Sequence, residues 1–128
     1  MKELNIYIVE EDLPKVTDIL RKHNVAGMGF SEIQGAGHMK RREIRERNGW
    51  EVRTVTPEYE KRTKVATIVP DSSVERIVED LIGSIGSKNE PRGMIFVKDV
   101  ANAYEIGTKQ SGDTLLTQAS QPGQPLID

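Results

Sequence analysis

No cysteine occurs in the chain, which excludes a disulfide scaffold and thiolate metal sites and fits a reducing compartment. Histidine is nearly as scarce, with His23 and His38 the only two. Without cysteine, and with so few histidines, neither a Ser-His-Asp nor a Cys-His arrangement can be assembled, so the chain is expected not to be an enzyme. Neither sign of charge dominates: 18 basic residues stand against 20 acidic ones, for a net charge of −2. No global field therefore draws the chain to nucleic acid or to an anionic membrane, and any basic patch has to be local. Long apolar runs are missing as well. Residues 4–9 are too short and too mixed to span a bilayer, and no charged leader precedes an apolar signal region, so the cytoplasm is the expected location.

What is present is patterned. A chain of 128 residues suits one domain, burying about two-thirds of its unfolded surface around a single core. LNIYIV (residues 4–9) is β-branched and aromatic and reads as a strand, stopped by Glu11 and Asp12 ahead of Pro14. Asp12 is placed to accept hydrogen bonds from first-turn amides, and Val16, Ile19 and Leu20 then repeat at helical spacing toward a stop near Asn24. GMGFSEI (27–33) returns as a strand, and QGAGH (34–38) loosens the chain with its glycines. The plan then repeats. TKVATIVP (63–70) is a strand; Asp71 or Ser72, with Glu75 three after Ser72, gives a capping-box signature; Val74, Ile77, Val78, Leu81, Ile82 and Ile85 make an apolar stripe; GMIFVKDV (93–100) is the next strand.

Two strand-helix-strand units of similar size suggest an internal duplication, each needing a right-handed crossover between parallel strands. The simplest packing is an α+β, ferredoxin-like β-α-β-β-α-β sandwich over residues 1–112. Its helices cover one face of the sheet, yet the strands carry apolar side chains in both directions, as Tyr7, Val9, Ile68 and Val69 illustrate. Burying the bare face between subunits recovers about 25 cal/mol per Å² of apolar surface, so a closed homo-oligomer is expected. Residues 102–106 read as a short fifth strand. The polar, Gln- and Pro-rich remainder reads as a mobile tail over 113–128.

Between the two units, residues 38–62 show no strong apolar period, and a long loop of that kind in a small domain is usually functional. Its KRREIRERNGWEVR (40–53) holds six basic residues against three acidic ones, with the only tryptophan of the chain. One reading is a solvated hairpin. The sharper one is a docking finger in which Trp50 anchors a partner and Arg42, Arg45, Arg47 and Arg53 steer it, with Tyr59 toward the far end.

The order of elements, VAGMGFSEIQGAG (25–37), KVATIVPDSSVERIVEDLI (64–82), RGMIFV (92–97) and GTKQSGD (107–113) together resemble the PII signalling proteins of nitrogen regulation, over about residues 1–112. That resemblance implies a homotrimer with nucleotide clefts between neighbouring subunits. It also implies a long loop that docks on ammonium channels or metabolic enzymes, and a sensor rather than a catalyst. Carried onto this sequence, the candidate ligand positions are Gly27, Met28, Gly29, Gly37, His38, Met39, Lys40, Val65, Ala66, Arg92, Gly93, Met94 and Lys109, with no catalytic residue and no metal ligand. An adenine nucleotide or a small anion is the implied effector, and a membrane transporter or metabolic enzyme the implied partner, with no nucleic acid.

Several positions depart from the family pattern. The lysine that follows the phosphate-loop glycine is Met94 here, two phosphate-closing arginines correspond to Glu105 and Gly107, the metal- and oxoglutarate-binding glutamine to Met39, and a threonine near the adenine to Gly29. A carboxylate repels polyphosphate where a guanidinium would clamp it, and a thioether is no ligand for a hard ion such as magnesium. At about 1.5–3 kcal/mol for each charge-assisted bond, losing three cations weakens Mg-ATP by about three orders of magnitude or more. Backbone glycines and an anion nest near Arg92 remain, with Arg92, Lys40, Arg41, Arg42 and Lys109 as replacement charge.

Three other classes share the topology. An RNA-binding ferredoxin-like module lacks support because Phe30 and Phe96 look isolated and the net charge is negative. A trimeric metal-tolerance protein has little to stand on. His23 ends a helix, where a cation suits the dipole, and His38 has no second ligand beside it. An acylphosphatase-like hydrolase would turn on Arg92.

Overall fold

A computed structural model describes residues 1–36, 44–55, 59–87 and 90–118. The first strand, β1 (Lys2–Ile8), sends Leu4, Ile6 and Ile8 to one side, where all three are buried. A single turn of 3-10 helix then leads into α1 (Leu13–Lys22), which has Pro14 in its first turn, where a missing N–H costs nothing. Val16, Ile19 and Leu20 face the sheet, and Arg21 and Lys22 lie in the last turn, where positive charge complements the helix dipole. Asn24 takes a left-handed φ of 56° and turns the chain out of the helix. The remaining core elements are β2 (Gly29–Gly35), β5 (Glu60–Val69), α2 (Val74–Ile85) and β6 (Gly93–Asp99).

These strands form one sheet in the order β2-β5-β1-β6, with every neighbouring pair antiparallel. β1 and β2 thus run parallel with β5 between them, and β5 and β6 run parallel with β1 between them, which is the split βαβ sandwich expected from the sequence. The register sets Ile6 between Val65 and Ile95, and the two helices close over that row with Val16, Leu20, Ile77 and Leu81. At about 1.5–3 kcal/mol for each buried aliphatic side chain, this layer is the main source of stability.

The structure adds to or alters the local expectations at four places. Neither Asp12 nor Ser73, the residues at the two helix starts, makes a side-chain capping bond, so the Ser72–Glu75 capping box is not formed. Asp12 is drawn away by Arg92, as described below. Among the described residues of 38–62, the chain forms a hairpin, one of the two readings of this segment: β3 (Ile44–Asn48) and β4 (Glu51–Val55) make a separate two-stranded sheet, and β5 already begins at Glu60, inside the expected loop. The fifth strand at 102–106 reduces to one bridge between Tyr104 and Ser111. Within the expected tail, α3 (Thr114–Gln118) is helical and buries Leu116. Among the described residues, no helix is long and apolar enough to cross a membrane.

Candidate functional site

The ligand positions proposed from sequence fall into two groups. Gly27, Met28, Gly29 and Ala66 line one depression of about 370 Å³ together with Glu3, Thr67 and Ile68. The hydroxyl of Thr67 donates to the Gly27 carbonyl oxygen at 2.5 Å and fixes the approach of the chain to β2. Val65 is not in this depression; alternation along β5 turns its side chain into the core and Ala66 to the bare face. Arg92, Gly93 and Met94 instead line an apolar groove of about 340 Å³ between β6 and α2, with Val78, Ile82, Ile85 and Tyr7 among its walls. β2 is one edge strand of the sheet and β6 the other. One chain therefore holds the two groups at opposite edges and does not bring them together.

Gly93 has a structural reason to be glycine. A Cβ built on it would stand 2.0 Å from the Tyr7 carbonyl oxygen, so only glycine lets β6 lie this close to β1. Arg92 is committed within the chain. Its Nη2 donates to both carboxylate oxygens of Asp12 at 2.9 Å, with Glu11 at 4.0 Å, and its Nε is buried without a partner. The contact ties the loop ahead of β6 to the start of α1, and it takes the charge that was a candidate to hold phosphate. Nothing in the local sequence signals it, because the two residues are 80 positions apart.

After β6 the chain makes a tight turn in which the Glu105 amide donates to the Gln110 carbonyl and Gly112 donates back to that of Ala103. The carboxylate of Glu105 accepts the Thr108 amide at 2.5 Å. Backbone N–H groups of Thr108 and Gly107 hold that carboxyl below its usual range, so Glu105 stays ionised and fills the local amides itself. Lys109 sits in the same turn with a left-handed φ of 63°.

The finger is a hairpin. Asn48 pairs with Glu51, leaving Gly49 and Trp50 as its two-residue loop, and Gly49 supplies the positive φ of 65° that such a tight turn requires. Trp50 is fully exposed at the tip. Register puts Arg45 and Arg47 on the face of Val52 and Thr54, while Arg53 crosses to Glu46 at 3.8 Å on the other face. Tyr59 is exposed just ahead of β5. Gly37, His38, Met39, Lys40 and Arg42 lie outside the described residues.

Elsewhere, His23 meets Asp80 at 2.9 Å, and among the described residues no cluster of His, Cys, Asp and Glu is arranged to hold a metal ion. Phe96 is not isolated. Its ring meets Tyr7 edge to face, 5.6 Å between centroids, with the Lys64 ammonium 5.8 Å from the Tyr7 ring. Ile68 and Glu3 carry no motif; strand alternation from Ala66 is the one sequence signal that points to Ile68.

The family model described as "Nitrogen regulatory protein P-II" matches residues 1–110. The chain belongs to the P-II family. It is 25% identical to the nitrogen regulatory protein P-II of Rhodobacter capsulatus over 113 residues, covering 88% of this chain and 97% of that one. It is 28% identical to P-II 2 of Methanothermobacter thermautotrophicus (88% and 94% covered) and 27% identical to P-II 1 of Escherichia coli K12 (91% and 100%). Among solved structures, that of B. subtilis GlnK superposes with a TM-score of 0.66 at 20% identity, covering 88% of this chain and 96% of that one, which is a likeness of fold. P-II proteins are regulatory signalling proteins rather than enzymes, and this P-II chain is accordingly a P-II-like signalling regulator with the ferredoxin-like architecture.

Proposed function

We propose that this P-II chain senses a small anionic metabolite or an adenine nucleotide in clefts between neighbouring copies of a homotrimer. It signals the result through the Trp50 finger to a membrane transporter or a metabolic enzyme, and it works in the cytoplasm without catalysis. The observation that carries the reading is the separation of the two candidate groups. The depression at Gly27, Gly29 and Ala66 and the loop at Arg92 to Met94 sit on opposite edges of one sheet, so a head-to-tail ring of copies completes each from its neighbour.

Mg-ATP with 2-oxoglutarate is weakened or lost as the effector pair. Met94 offers a thioether where the family carries an ammonium, Arg92 is held by Asp12, and Glu105 adds a fixed negative charge stabilised by its own turn. Titration calorimetry is expected to find no micromolar affinity for ATP and no strengthening by 2-oxoglutarate with magnesium. Micromolar binding that 2-oxoglutarate tightens overturns that part of the reading. A thermal-shift screen of adenine nucleotides and small anions then identifies the effector.

A second reading has one observation in its favour. The Tyr7–Phe96 pair with Lys64 beside it, on the uncovered face of the sheet, is the kind of platform on which unpaired bases stack. Binding of single-stranded RNA that weakens steeply with salt would favour it.

A further inference from the structure

The hairpin of β3 and β4 is a sheet of its own, separate from the four-stranded one, and its two faces differ in charge. Register and strand alternation put Arg45, Arg47, Val52 and Thr54 on one face, which carries two cations and no acid. All four are exposed, and among the described residues neither arginine makes an ion pair. The other face holds Glu46, Arg53 and Glu51, where Arg53 reaches Glu46 at 3.8 Å and leaves a slight acidic excess. At the tip Trp50 has its whole ring in water, and Val52, two residues on, is half exposed. Large aromatic side chains left in water beside unpaired arginines mark surfaces that something else covers.

We propose that the cationic face of the finger lies on an anionic lipid surface, with the Trp50 ring entering the headgroup layer. The proposal rests on the reading of the finger as a docking element, and on neither the effector nor the ring of copies. Two features select a membrane as the partner. The first is that only one face of the hairpin matches an anionic partner. A protein groove that took in the finger would meet both faces, Glu46 and Glu51 included, whereas a bilayer is a plane that meets one and leaves the compensated face in water. The second is the size of the apolar part, one indole and Val52. A specific protein interface buries about 800 Å² on each partner around a packed pocket, several times what a face two strands wide and about 17 Å long presents. Headgroups close around a protruding indole without any pocket, and tryptophan and arginine both settle at that depth, rings and stems in the apolar zone and polar ends in water. A net charge of −2 keeps the rest of the chain off the same surface, so the contact is confined to the finger.

Trp50 is the only tryptophan of the chain, so its fluorescence reports on the finger tip alone. The full chain is mixed with vesicles of phosphatidylserine and phosphatidylcholine in equal parts, and separately with vesicles of phosphatidylcholine alone, and binding is read by emission wavelength and co-sedimentation. With the anionic vesicles the emission is expected to shift to the blue and the chain to sediment, and added salt to reverse both. Arg45→Gln combined with Arg47→Gln is expected to weaken binding by on the order of tenfold or more, at about fivefold for each arginine. Trp50→Ala is expected to weaken co-sedimentation while leaving its salt dependence in place. Circular dichroism verifies that these variants fold, as substitutions in a hairpin outside the main sheet are expected to. An unaltered chain that ignores the anionic vesicles overturns the lipid inference and leaves the finger to a protein partner. Vesicle binding with no blue shift, or unmoved by any of the three substitutions, overturns both the inference and the finger as the docking element. Equal binding to the two kinds of vesicle overturns the selection by charge.

Discussion

Gly93 and Arg92 stand side by side and do unlike work. The glycine admits a backbone: β6 approaches β1 so closely at this point that a methyl group would fall inside the Tyr7 carbonyl. Gly93→Ala is expected to cost about 1–3 kcal/mol through displacement of β6, as overpacking does in other tightly packed sites. Urea unfolding checks this as a lower midpoint with an unchanged m-value, and an unaltered midpoint would mean that the strand gives way freely. Arg92 does the opposite, contributing a side chain that stays within the chain. Its partner Asp12 reads from local sequence as a helix cap, and that expectation fails because a guanidinium 80 residues away outcompetes the first-turn amides for the same carboxylate. A cap is a local inference and an ion pair of this span is not. The same limit hides the buried Asn5 amide, whose lack of partners depends on β5 and β6 on either side.

Helices and strands were more legible than caps. The apolar stripes of α1 and α2 and the runs of β1, β5 and β6 follow their 3.6 and 2.0 periods, and these elements stand within a few residues of where periodicity puts them. The finger was only half legible, because half the residues of β3 and β4 are charged and their described side chains are exposed, while the Asn48-Gly49 pair was the hairpin signal available. Packing between elements adds one feature no period reveals: α1 and α2 are clipped at one end, where His23 and Lys22 reach Asp80 at 2.9 and 3.5 Å and Ser84 shares the carboxylate. The hydrogen bond from His23, with help from Lys22, holds the Asp80 carboxyl below its usual range. A depressed carboxyl contributes stability that is present above its unfolded value, near pH 4, and lost as pH falls through the lower folded value. Asp80→Asn is therefore expected to melt below the unaltered chain at pH 6 and to converge with it toward about pH 2. Melting curves for both chains across that range check it, and a constant difference would place the contribution outside the titration.

At the scale of the whole molecule, the decisive feature is that the two candidate ligand groups occupy different edges of one sheet, β2 and β6. Sequence alone could not join them, since under the proposed assembly their union takes a neighbouring copy, and only the resemblance to P-II proteins suggested it. In the proposed ring the differing edges meet head to tail, and each cleft draws one half from each of two copies. This has a consequence that a site within one chain does not share. Gly29→Trp fills the depression on β2, and Met94→Glu places a carboxylate at the start of β6; each is expected to abolish the melting shift given by whichever adenine nucleotide or small anion the thermal-shift screen identifies. Unfolded together and refolded as mixed assemblies, the two variants are expected to regain binding in about a quarter of their clefts, those that unite the intact half of each. Calorimetric stoichiometry reads that fraction directly. Mixed assemblies with no regained binding would mean that both groups serve a cleft within one chain, or none, and a sheet with its edges this far apart would then need another explanation for its two depressions.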